Sequence, residues 1–412
     1  MQQPETNHGA EIRREVTIEK WVYGGRGLGR IDGQAVLVPF VLPGEIVRVE
    51  IEKERRSLLE ASLAEVVSAS SERVDPPCPY FKRCGGCQYQ HAAYDYQVAQ
   101  KREVLREVFR RVGKLEAPEE IGVVSASPWE YRNRAQFHLA GGAIGYHEVS
   151  SNRLCPVDRC PISSPAINAG LAVLRRMIRD QRFPRFVRSI ELFSNETDVQ
   201  VNVLTSDRPV ARRFFEWCAE GIPGAAAGSL DYSAAGGVYR VSHHSFFQVN
   251  RFLTDKLVDV ALEDAEGEHA VDLYAGVGLF SLPLSRRFRT VTAVESAASA
   301  VRDLEFNAAR ASLGVTASRA TAELFLEELE RPPDFVLADP PRAGLGKNVV
   351  RHLLRLQPPR VTIVACDPAT LARDIGPLAA AGYHLERVTL IDLFPQTCHI
   401  ETVVHLRQAS TS

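Results

Sequence analysis

The sequence lacks three features that would assign it to a functional class at once. It has no apolar run long enough to cross a membrane, and residues 1–7 are polar, without the apolar core of a signal peptide. It also lacks a basic excess, because 49 lysines and arginines face 51 acidic residues, so any nucleic-acid surface must be local. We therefore expect a cytoplasmic protein with no membrane partner.

The 412 residues correspond to roughly three domains. We predict a disordered tail over residues 1–10. Residues 11–68 contain short strands separated by glycine, which is typical of a small β-barrel. Residues 69–240 mix strands and helices and form a predicted central domain, whereas residues 241–412 alternate strand and helix. That alternation predicts a doubly wound parallel sheet, so the fold class is α/β.

Eight cysteines in a reducing compartment are more often metal ligands or catalytic groups than disulfides. Cys78, Cys84 and Cys87 fall within ten residues, and the two glycines between the last pair allow a tight turn that points several sulfurs at one centre. This spacing favours metal or iron–sulfur ligation over chance. A fourth ligand must come from elsewhere, with Cys155 and Cys160 as candidates, and zinc is the alternative to a cluster.

A basic helix is predicted between residues 94 and 114, where the apolar residues follow helical periodicity and bases outnumber acids. Its cations could form a phosphate-facing stripe, although a solvated face is the better-supported alternative for a lone helix. The stripe would consist of Lys101, Arg102, Arg106, Arg110 and Arg111.

Polar residues mark the ends of the predicted parallel strands. A glycine turn with Gly276 and Gly278 lets a ligand approach the backbone, and Glu295 at the next strand end can accept two ribose hydroxyls. This pair fits nicotinamide dinucleotides and S-adenosylmethionine alike. The third glycine of the dinucleotide fingerprint is absent, because Ser281 stands there, and Asp339 adds a carboxylate that hydride transfer does not need. We therefore prefer S-adenosylmethionine, with a surface acid and a helix cap as the alternatives for the two carboxylates.

Cys366 ends a predicted buried strand over residues 361–366, where ligands and chemistry gather in parallel sheets. It could be an ordinary buried cysteine. Beside a methyl donor, however, its thiolate could add to carbon 6 of a uracil and make carbon 5 reactive, after which a base must remove the proton of carbon 5. His399 and Glu401 both fit that role on geometry.

Taken together, these motifs resemble one family, the RNA uracil-5-methyltransferases. The resemblance covers nearly the whole chain and implies a Rossmann-like class I methyltransferase domain over 241–412, an OB-like TRAM barrel over 11–68 and a central α/β domain between them. It implies S-adenosyl-L-methionine as methyl donor, Cys366 as nucleophile and Glu401 as the base. It also implies donor-binding residues at Gln248, Tyr274, Gly276, Gly278, Glu295 and Asp339. For a [4Fe-4S] cluster, it implies the ligands Cys78, Cys84, Cys87 and Cys160.

Three positions depart from the family pattern. The usual Cys-Asn-Pro is Cys366-Asp367-Pro368 here, and the added charge should raise the thiol pKa unless Asp367 turns away or is paired. Leu279 replaces a frequent asparagine, and an acid is replaced near Thr321.

The sequence therefore predicts a monomeric enzyme that methylates carbon 5 of a uridine in structured ribosomal RNA, most of all 23S ribosomal RNA, with transfer RNA as the alternative substrate. An RNA-binding assembly factor without catalysis and a nicotinamide oxidoreductase are the rival functions.

Overall fold

The computed structural model describes residues 13–226 and 228–409, so the tail predicted over residues 1–10 lies outside the described residues. The chain forms two compact units. The first unit contains the described residues up to Lys82, together with Cys87–Val104 and Gln396–Cys398. The second unit contains Arg83–Gly86, Leu105–Pro395 and the described residues from His399 onward. Neither unit is one continuous stretch of sequence.

The first unit is built on a closed barrel with strand order β1-β2-β3-β5-β4. Alternating side chains point inward, and a core of valines such as Val36, Val38, Val47 and Val49 is almost fully buried. The predicted β-barrel is therefore confirmed. Its strands are β1 (Arg14–Val22), β2 (Arg26–Ile31), β3 (Gln34–Pro39), β4 (Ile46–Arg55) and β5 (Leu58–Ser68).

The predicted basic helix is α1 (Tyr94–Val108), which continues as a π-helical turn over Phe109–Gly113. The stripe of cations predicted along it is wrong in part. Lys101 is only 1% exposed, so it cannot face a phosphate. Arg106 donates to the backbone carbonyls of Pro118 and Glu119, and this ties its guanidinium to the protein.

The second unit contains a six-stranded sheet in the order β12-β11-β10-β7-β8-β9. Strands β7 and β8 form a hairpin that turns at Gly141 and Gly142, and helix α2 packs on β10. The elements are β7 (Arg134–Ala140), β8 (Ala143–His147), β9 (Leu154–Pro156), α2 (Pro165–Met177), β10 (Val187–Ser194), β11 (Val199–Ser206), α3 (Arg212–Gly221) and β12 (Ala225–Ala226).

A hairpin of two strands follows β12 along the chain. β13 (Ser229–Ala234) pairs with β14 (Gly237–Ser242) as an antiparallel hairpin. Ala235 and Gly236 both have positive φ, as a two-residue hairpin turn requires. The glycine- and alanine-rich composition obscured a strand in which Leu230, Tyr232 and Ala234 alternate inward.

The catalytic end of the chain forms an eight-stranded sheet in the order β17-β16-β15-β18-β19-β21-β20-β6. The five strands β15 to β19 pair in parallel, in the order β17-β16-β15-β18-β19, and β21 runs antiparallel to β19. This confirms the predicted α/β fold with a doubly wound parallel sheet. The strands are β6 (Gly122–Val124), β15 (Gly267–Leu273), β16 (Phe288–Val294), β17 (Val315–Ser318), β18 (Phe335–Ala338), β19 (Arg360–Ala365), β20 (Tyr383–Ile391) and β21 (Glu401–Gln408).

Helices connect these strands. They are α4 (Thr254–Ala261), α5 (Ser281–Leu284), α6 (Ala298–Arg310), α7 (Ala322–Glu328), α8 (Gly346–Leu356) and α9 (Pro368–Ala380). None of the helices in the described part of the chain is both long and apolar enough to span a membrane.

Candidate active site

Strand register brings Cys366 and Glu401 face to face. Ala365, the last residue of β19, pairs with Thr402 of antiparallel β21. The next position on each chain is Cys366 on one side and Glu401 on the other, so the pair lies opposite at the strand ends. The thiol is partly exposed, whereas Glu401 is only 4% exposed. The predicted nucleophile and base therefore lie at one point of the sheet edge.

Asp339 joins this pair from the neighbouring strand end. It follows β18, and the side-chain amide of Gln248 donates a hydrogen bond to its Oδ2 at 3.4 Å. Dense protein around the carboxyl raises the pKa of Asp339 to about 7, although part of its surface remains accessible. Burial, and then the charge of Asp339, raise the pKa of Glu401 well above its usual value. In the ligand-free protein this shift favours the protonated form of Glu401.

The thiol of Cys366 is also held in its protonated form. Burial raises its pKa to about 11, the charges of Glu401 and Asp339 act in the same direction, and Arg342 acts against them. Positive charge or a hydrogen-bond donor brought by a ligand would lower this pKa. Without a ligand the protonated thiol of Cys366 is therefore a poor nucleophile.

Asp367, the departure from the family pattern, is occupied as a helix cap. Its Oδ1 accepts the backbone N–H groups of Ala369 and Thr370, both at 2.9 Å. The carboxylate of Asp367 therefore interacts with the N-terminus of α9, where Pro368 occupies the first helical position. The sequence analysis expected Asp367 to raise the pKa of the Cys366 thiol unless its carboxylate was paired, and here it is paired.

Helix α9 also holds the loop that follows Asp339. Arg373 donates to the carbonyl of Ala343 at 2.7 Å, and Asp374 accepts the N–H of Leu345 at 2.7 Å. Thr370 Oγ1 donates to the carbonyl of Arg342 at 3.2 Å. These contacts fix the loop beside Cys366, and one guanidinium nitrogen of Arg342 lies 3.4 Å from His399 Nε2.

The predicted donor-binding turn after β15 has the geometry of a ligand cradle. Tyr274, Gly276 and Gly278 all have positive φ. A Cβ added at Gly276 would meet no atom within 4 Å, so a ligand could approach the backbone there. At Gly278 the same Cβ would lie 2.6 Å from Leu304 Cδ1, so that glycine serves the packing of α6.

Glu295 closes the other side of this cradle. Its Oε2 accepts the Gly276 N–H at 3.0 Å, and its Oε1 accepts the Ala297 N–H at 2.7 Å. The two carboxylate oxygens are therefore aimed by backbone donors, and each has further lone pairs for ribose hydroxyls.

Sequence reasoning gave no role to Asp272, at the inner end of β15. It is fully buried; Ser281 donates to Oδ2, but no group in the described part of the chain bonds to Oδ1. Burial raises its pKa to about 7, and nearby Asp339 and Glu295 add to the effect. An unpaired buried acceptor beside two other carboxylates fits a cationic ligand such as S-adenosylmethionine, which carries a sulfonium and an ammonium group.

Asp303 was also missed, because an acid in mid-helix has no sequence signature. It is fully buried on α6 and accepts hydrogen bonds from Arg240 Nε, the Ser242 N–H and hydroxyl, and Ser245 Oγ, at 2.6–2.9 Å. These donors lie just before Gln248. Asp303 thereby clasps the segment that carries Gln248 to the helix that follows Glu295.

The cysteines predicted as metal ligands form no disulfide within the described residues. In the first unit Cys87 is buried and Cys78 is partly exposed; in the second unit Cys84 and Cys160 are partly exposed. The Gly86 N–H lies 3.4 Å from Cys84 Sγ, a contact that suits a thiolate ligand. Among the described residues, however, no three His, Cys, Asp or Glu side chains are grouped to hold a metal ion. The predicted cluster is therefore not confirmed.

Comparisons with known proteins indicate the family and the fold of the chain. A family model described as tRNA (Uracil-5-)-methyltransferase matches residues 229–409, and a TRAM domain model matches residues 6–64. The chain is similar to a protein named 23S rRNA (uracil(1939)-C(5))-methyltransferase RlmD from Halomonas elongata, with 33% identity over 99% of this chain and 92% of the relative. It is also 32% identical to an uncharacterized RNA methyltransferase of Aquifex aeolicus, over 95% of this chain and 98% of that one.

Among solved structures, the chain is similar to the Pyrococcus abyssi tRNA (uracil-54, C5)-methyltransferase in complex with S-adenosyl-L-homocysteine. The TM-score is 0.75, the identity is 24%, and the match covers 96% of this chain and 100% of that one. At this identity the likeness supports the fold.

Proposed function

This chain belongs to the family of RNA uracil-5-methyltransferases, and from that premise we propose that it methylates carbon 5 of one uridine in 23S ribosomal RNA. The observation that carries the proposal is the register of β19 and β21, which sets Cys366 against Glu401. The substrate comes from the names of full-length relatives and from the TRAM barrel. A cytoplasmic monomer remains our expectation.

The donor site would be formed by the cradle after β15 and by the carboxylates around it. S-adenosylmethionine bound there would supply an electrophilic methyl group. Glu295 would accept ribose hydroxyls, Gly276 would allow the close approach, and Asp272 and Asp339 would face the positive charges. The main support is the unpaired Oδ1 of Asp272 in a fully buried position.

In the proposed reaction, a flipped-out uracil enters above Cys366. The thiolate forms a bond to carbon 6, and the electrons of the 5,6 double bond move toward the carbonyl at carbon 4 as an enolate. Carbon 5 would then attack the methyl carbon of the bound donor, the bond between that carbon and the sulfonium sulfur would break, and its electron pair would stay on the sulfur of the leaving thioether. Glu401 removes the remaining proton of carbon 5, the 5,6 double bond re-forms, and the bond between carbon 6 and Sγ breaks. The thiolate is thereby restored, and every electron pair is accounted for.

The raised pKa values set the order of events at the site. The raised pKa of Glu401 favours its protonated form, and positive charge beside Asp339 would lower this pKa and favour the carboxylate that acts as the base. The thiol likewise needs a lower pKa than that of the ligand-free protein. We infer that the site is active only when the donor and the uracil are both bound.

We further propose that Cys78, Cys84, Cys87 and Cys160 hold a [4Fe-4S] cluster with a structural role. The support is the cysteine spacing and the amide hydrogen bond to Cys84 Sγ. The proposed methyl transfer needs no electron, so no step passes through the cluster. Anaerobic purification followed by iron and sulfide analysis tests it. Cys160→Ser should lose iron, whereas Cys155→Ser should keep it; zinc without sulfide would contradict the cluster.

The decisive experiment measures transfer of a radiolabelled methyl group to 23S ribosomal RNA and to transfer RNA from a deletion strain. Cys366→Ala should abolish transfer and keep donor binding, and the matched control Cys398→Ala should retain activity. Transfer to transfer RNA alone would replace the proposed substrate. Near-normal turnover of Cys366→Ala would refute the mechanism.

A further inference from the structure

One end of the six-stranded sheet carries a concentration of arginine that the active site does not use. Residues 175–188 and 207–220 contain nine arginines, four acids and no lysine, in a chain whose net charge is −2. Most of these arginines are exposed; the Arg212 and Arg182 side chains are 92% and 71% accessible. The two segments are adjacent, because the Asp207 N–H donates to the carbonyl of Phe186 and Arg188 pairs with Asp207.

Several of these cations have no acidic partner. Arg182, Arg188 and Arg212 pair with Asp180, Asp207 and Glu216, respectively. In contrast, four others are exposed and form no ion pair within the part of the chain that the structure describes: Arg176, Arg179, Arg208 and Arg213. Of these, Arg208 is near enough to Asp207 for its charge to lower the pKa of that carboxyl. Unneutralised arginines on one surface attract phosphate, and arginine is the cation best suited to bind it through two parallel hydrogen bonds.

The same surface contains an aromatic cavity of about 530 Å³. Its lining includes four apolar or aromatic residues, two arginines and two acids: Pro184, Phe186, Phe214, Trp217, Arg182, Arg213, Glu216 and Glu220. Trp217 is only partly buried, and the Arg182 guanidinium lies 4.6 Å from its ring centroid. A half-exposed indole beside a guanidinium plane can stack an unpaired base, since every base has a π-face.

This surface lies away from the chemistry. Strand β10 begins at Val187, next to the cavity, and ends at Ser194, whose N–H donates to the carbonyl of Asn133. At that far end, Arg134 reaches the carbonyl of Ser245 in the segment that leads to Gln248. Eight extended residues span on the order of 20 Å, so a contact at the cavity would be separate from the reacting uridine.

We propose that this arginine surface binds the substrate RNA at a second place, with phosphates on Arg176, Arg179, Arg208 and Arg213 and one unpaired base stacked at Trp217. The inference rests on the proposed function only in taking RNA as the partner. The combination of unpaired arginines with an aromatic cavity favours RNA over an acidic protein. An acidic protein would bind the arginines but would place no base against Trp217.

The test measures binding of full-length 23S ribosomal RNA to the whole protein at several salt concentrations, without a methyl donor. Arg179→Glu/Arg213→Glu should weaken binding and reduce the slope of log K against log salt by about 1.4–1.8. Trp217→Ala should weaken binding about tenfold, whereas Trp217→Phe should retain most of it. The matched control Arg351→Glu, an exposed arginine on α8, should bind as wild type.

Two further readouts separate this proposal from the function of the active site. Oligouridylate should quench tryptophan fluorescence of the wild type but not of Trp217→Phe, and polyglutamate of equal charge should not. In turnover assays the double variant should raise KM for RNA and leave kcat unchanged. Unaltered affinity and salt slope, or equal competition by polyglutamate, would overturn the proposal. If the wild type binds RNA but transfers no methyl group, and the double variant loses that binding, the proposed function is refuted and the proposed RNA surface is not.

Discussion

Two neighbouring parts of one sheet edge differ in the hydrogen bonding and the pKa values of their carboxyl groups. Around β15 and β16, the carboxylate of Glu295 is bonded by the N–H groups of Gly276 and Ala297, and Asp303 by four donors. Around β18, β19 and β21, the carboxyls of Asp339 and Glu401 face each other with raised pKa values. The donor half is therefore pre-organised without a ligand, whereas the reacting half is chemically inactive until charge enters it.

The largest effect is expected at the centre of the reacting half. Glu401→Gln should lower turnover about a thousandfold, because an amide cannot take the proton from carbon 5. The covalent adduct to Cys366 should then accumulate as a protein–RNA band that survives denaturing gel electrophoresis. His399→Gln serves as the control for the rival base. If the adduct accumulates in the His399 variant and not in the Glu401 variant, His399 and not Glu401 is the base.

A second test concerns Asp272, a carboxyl of the donor half that shares the raised pKa of the reacting half. The pKa of Asp272 is raised to about 7, so the folded ligand-free protein binds this proton more tightly than the unfolded chain does. The resulting stability is fully present below about pH 4 and is lost as pH rises through about 7, by about 2–4 kcal/mol. Asp272→Asn should make this fall in the unfolding free energy, measured in urea without ligand, smaller by the share of Asp272, whereas Asp339 and Glu401 keep theirs.

Asp334 provides a matched control of opposite sign for that experiment. Backbone N–H groups of His269 and Glu268 lower its pKa, so its contribution exists above the unfolded pKa and disappears as pH falls. Asp334→Asn should therefore lose stability at neutral pH and leave the loss between about pH 4 and 7 in place. A flat profile in the wild type would show that the buried carboxyl does not hold its proton.

A smaller effect is expected from the clasp of the donor half. Asp303→Asn removes the charge that orders the segment before Gln248, so KM for the donor should rise about tenfold with little change in kcat. Asp231→Asn breaks an exposed ion pair with Arg310 on the adjoining hairpin and should leave KM unchanged. A fall in kcat alone would mean that Asp303 acts on the reacting half instead.

The smallest effect is expected at Asp367. Because Asn caps a helix as well as Asp, Asp367→Asn should keep activity within about twofold and stability within a few tenths of a kcal/mol. The rate of thiol alkylation against pH should show the same pKa for Cys366. Asp367→Ala should lose about 1 kcal/mol of stability. A clear acid shift in the asparagine variant would show that Asp367 does act on the thiol.

Much of this arrangement could be predicted from the sequence, because strand ends carry local signals. A β-branched run before Cys366 and a final strand that opens at Glu401 were enough to place both residues at element ends. Their mutual approach depends on antiparallel pairing of β19 with β21, which is not local. The resemblance to a family supplied that step.

Other features could not be predicted, because they arise from contacts distant in sequence. Lys101 looked like a surface cation, yet it is buried. Asp303 has no motif, and its partners lie about 60 residues earlier. Whether Asp367 would disturb the thiol depended on the direction of one side chain. The pairing of β13 and β14 depended on a turn in which Ala235 adopts positive φ.

The eight-stranded sheet draws its outermost strand, β6, from residues 122–124, whereas the strand it pairs with, β20, begins at Tyr383. During synthesis, roughly 260 residues separate the two, and at about 5–20 residues per second β6 leaves the ribosome some 13–50 seconds before its neighbour exists. The sheet can therefore close only after translation is nearly complete. A nascent chain must keep that short segment available until then, which makes the enzyme dependent on late, whole-chain folding.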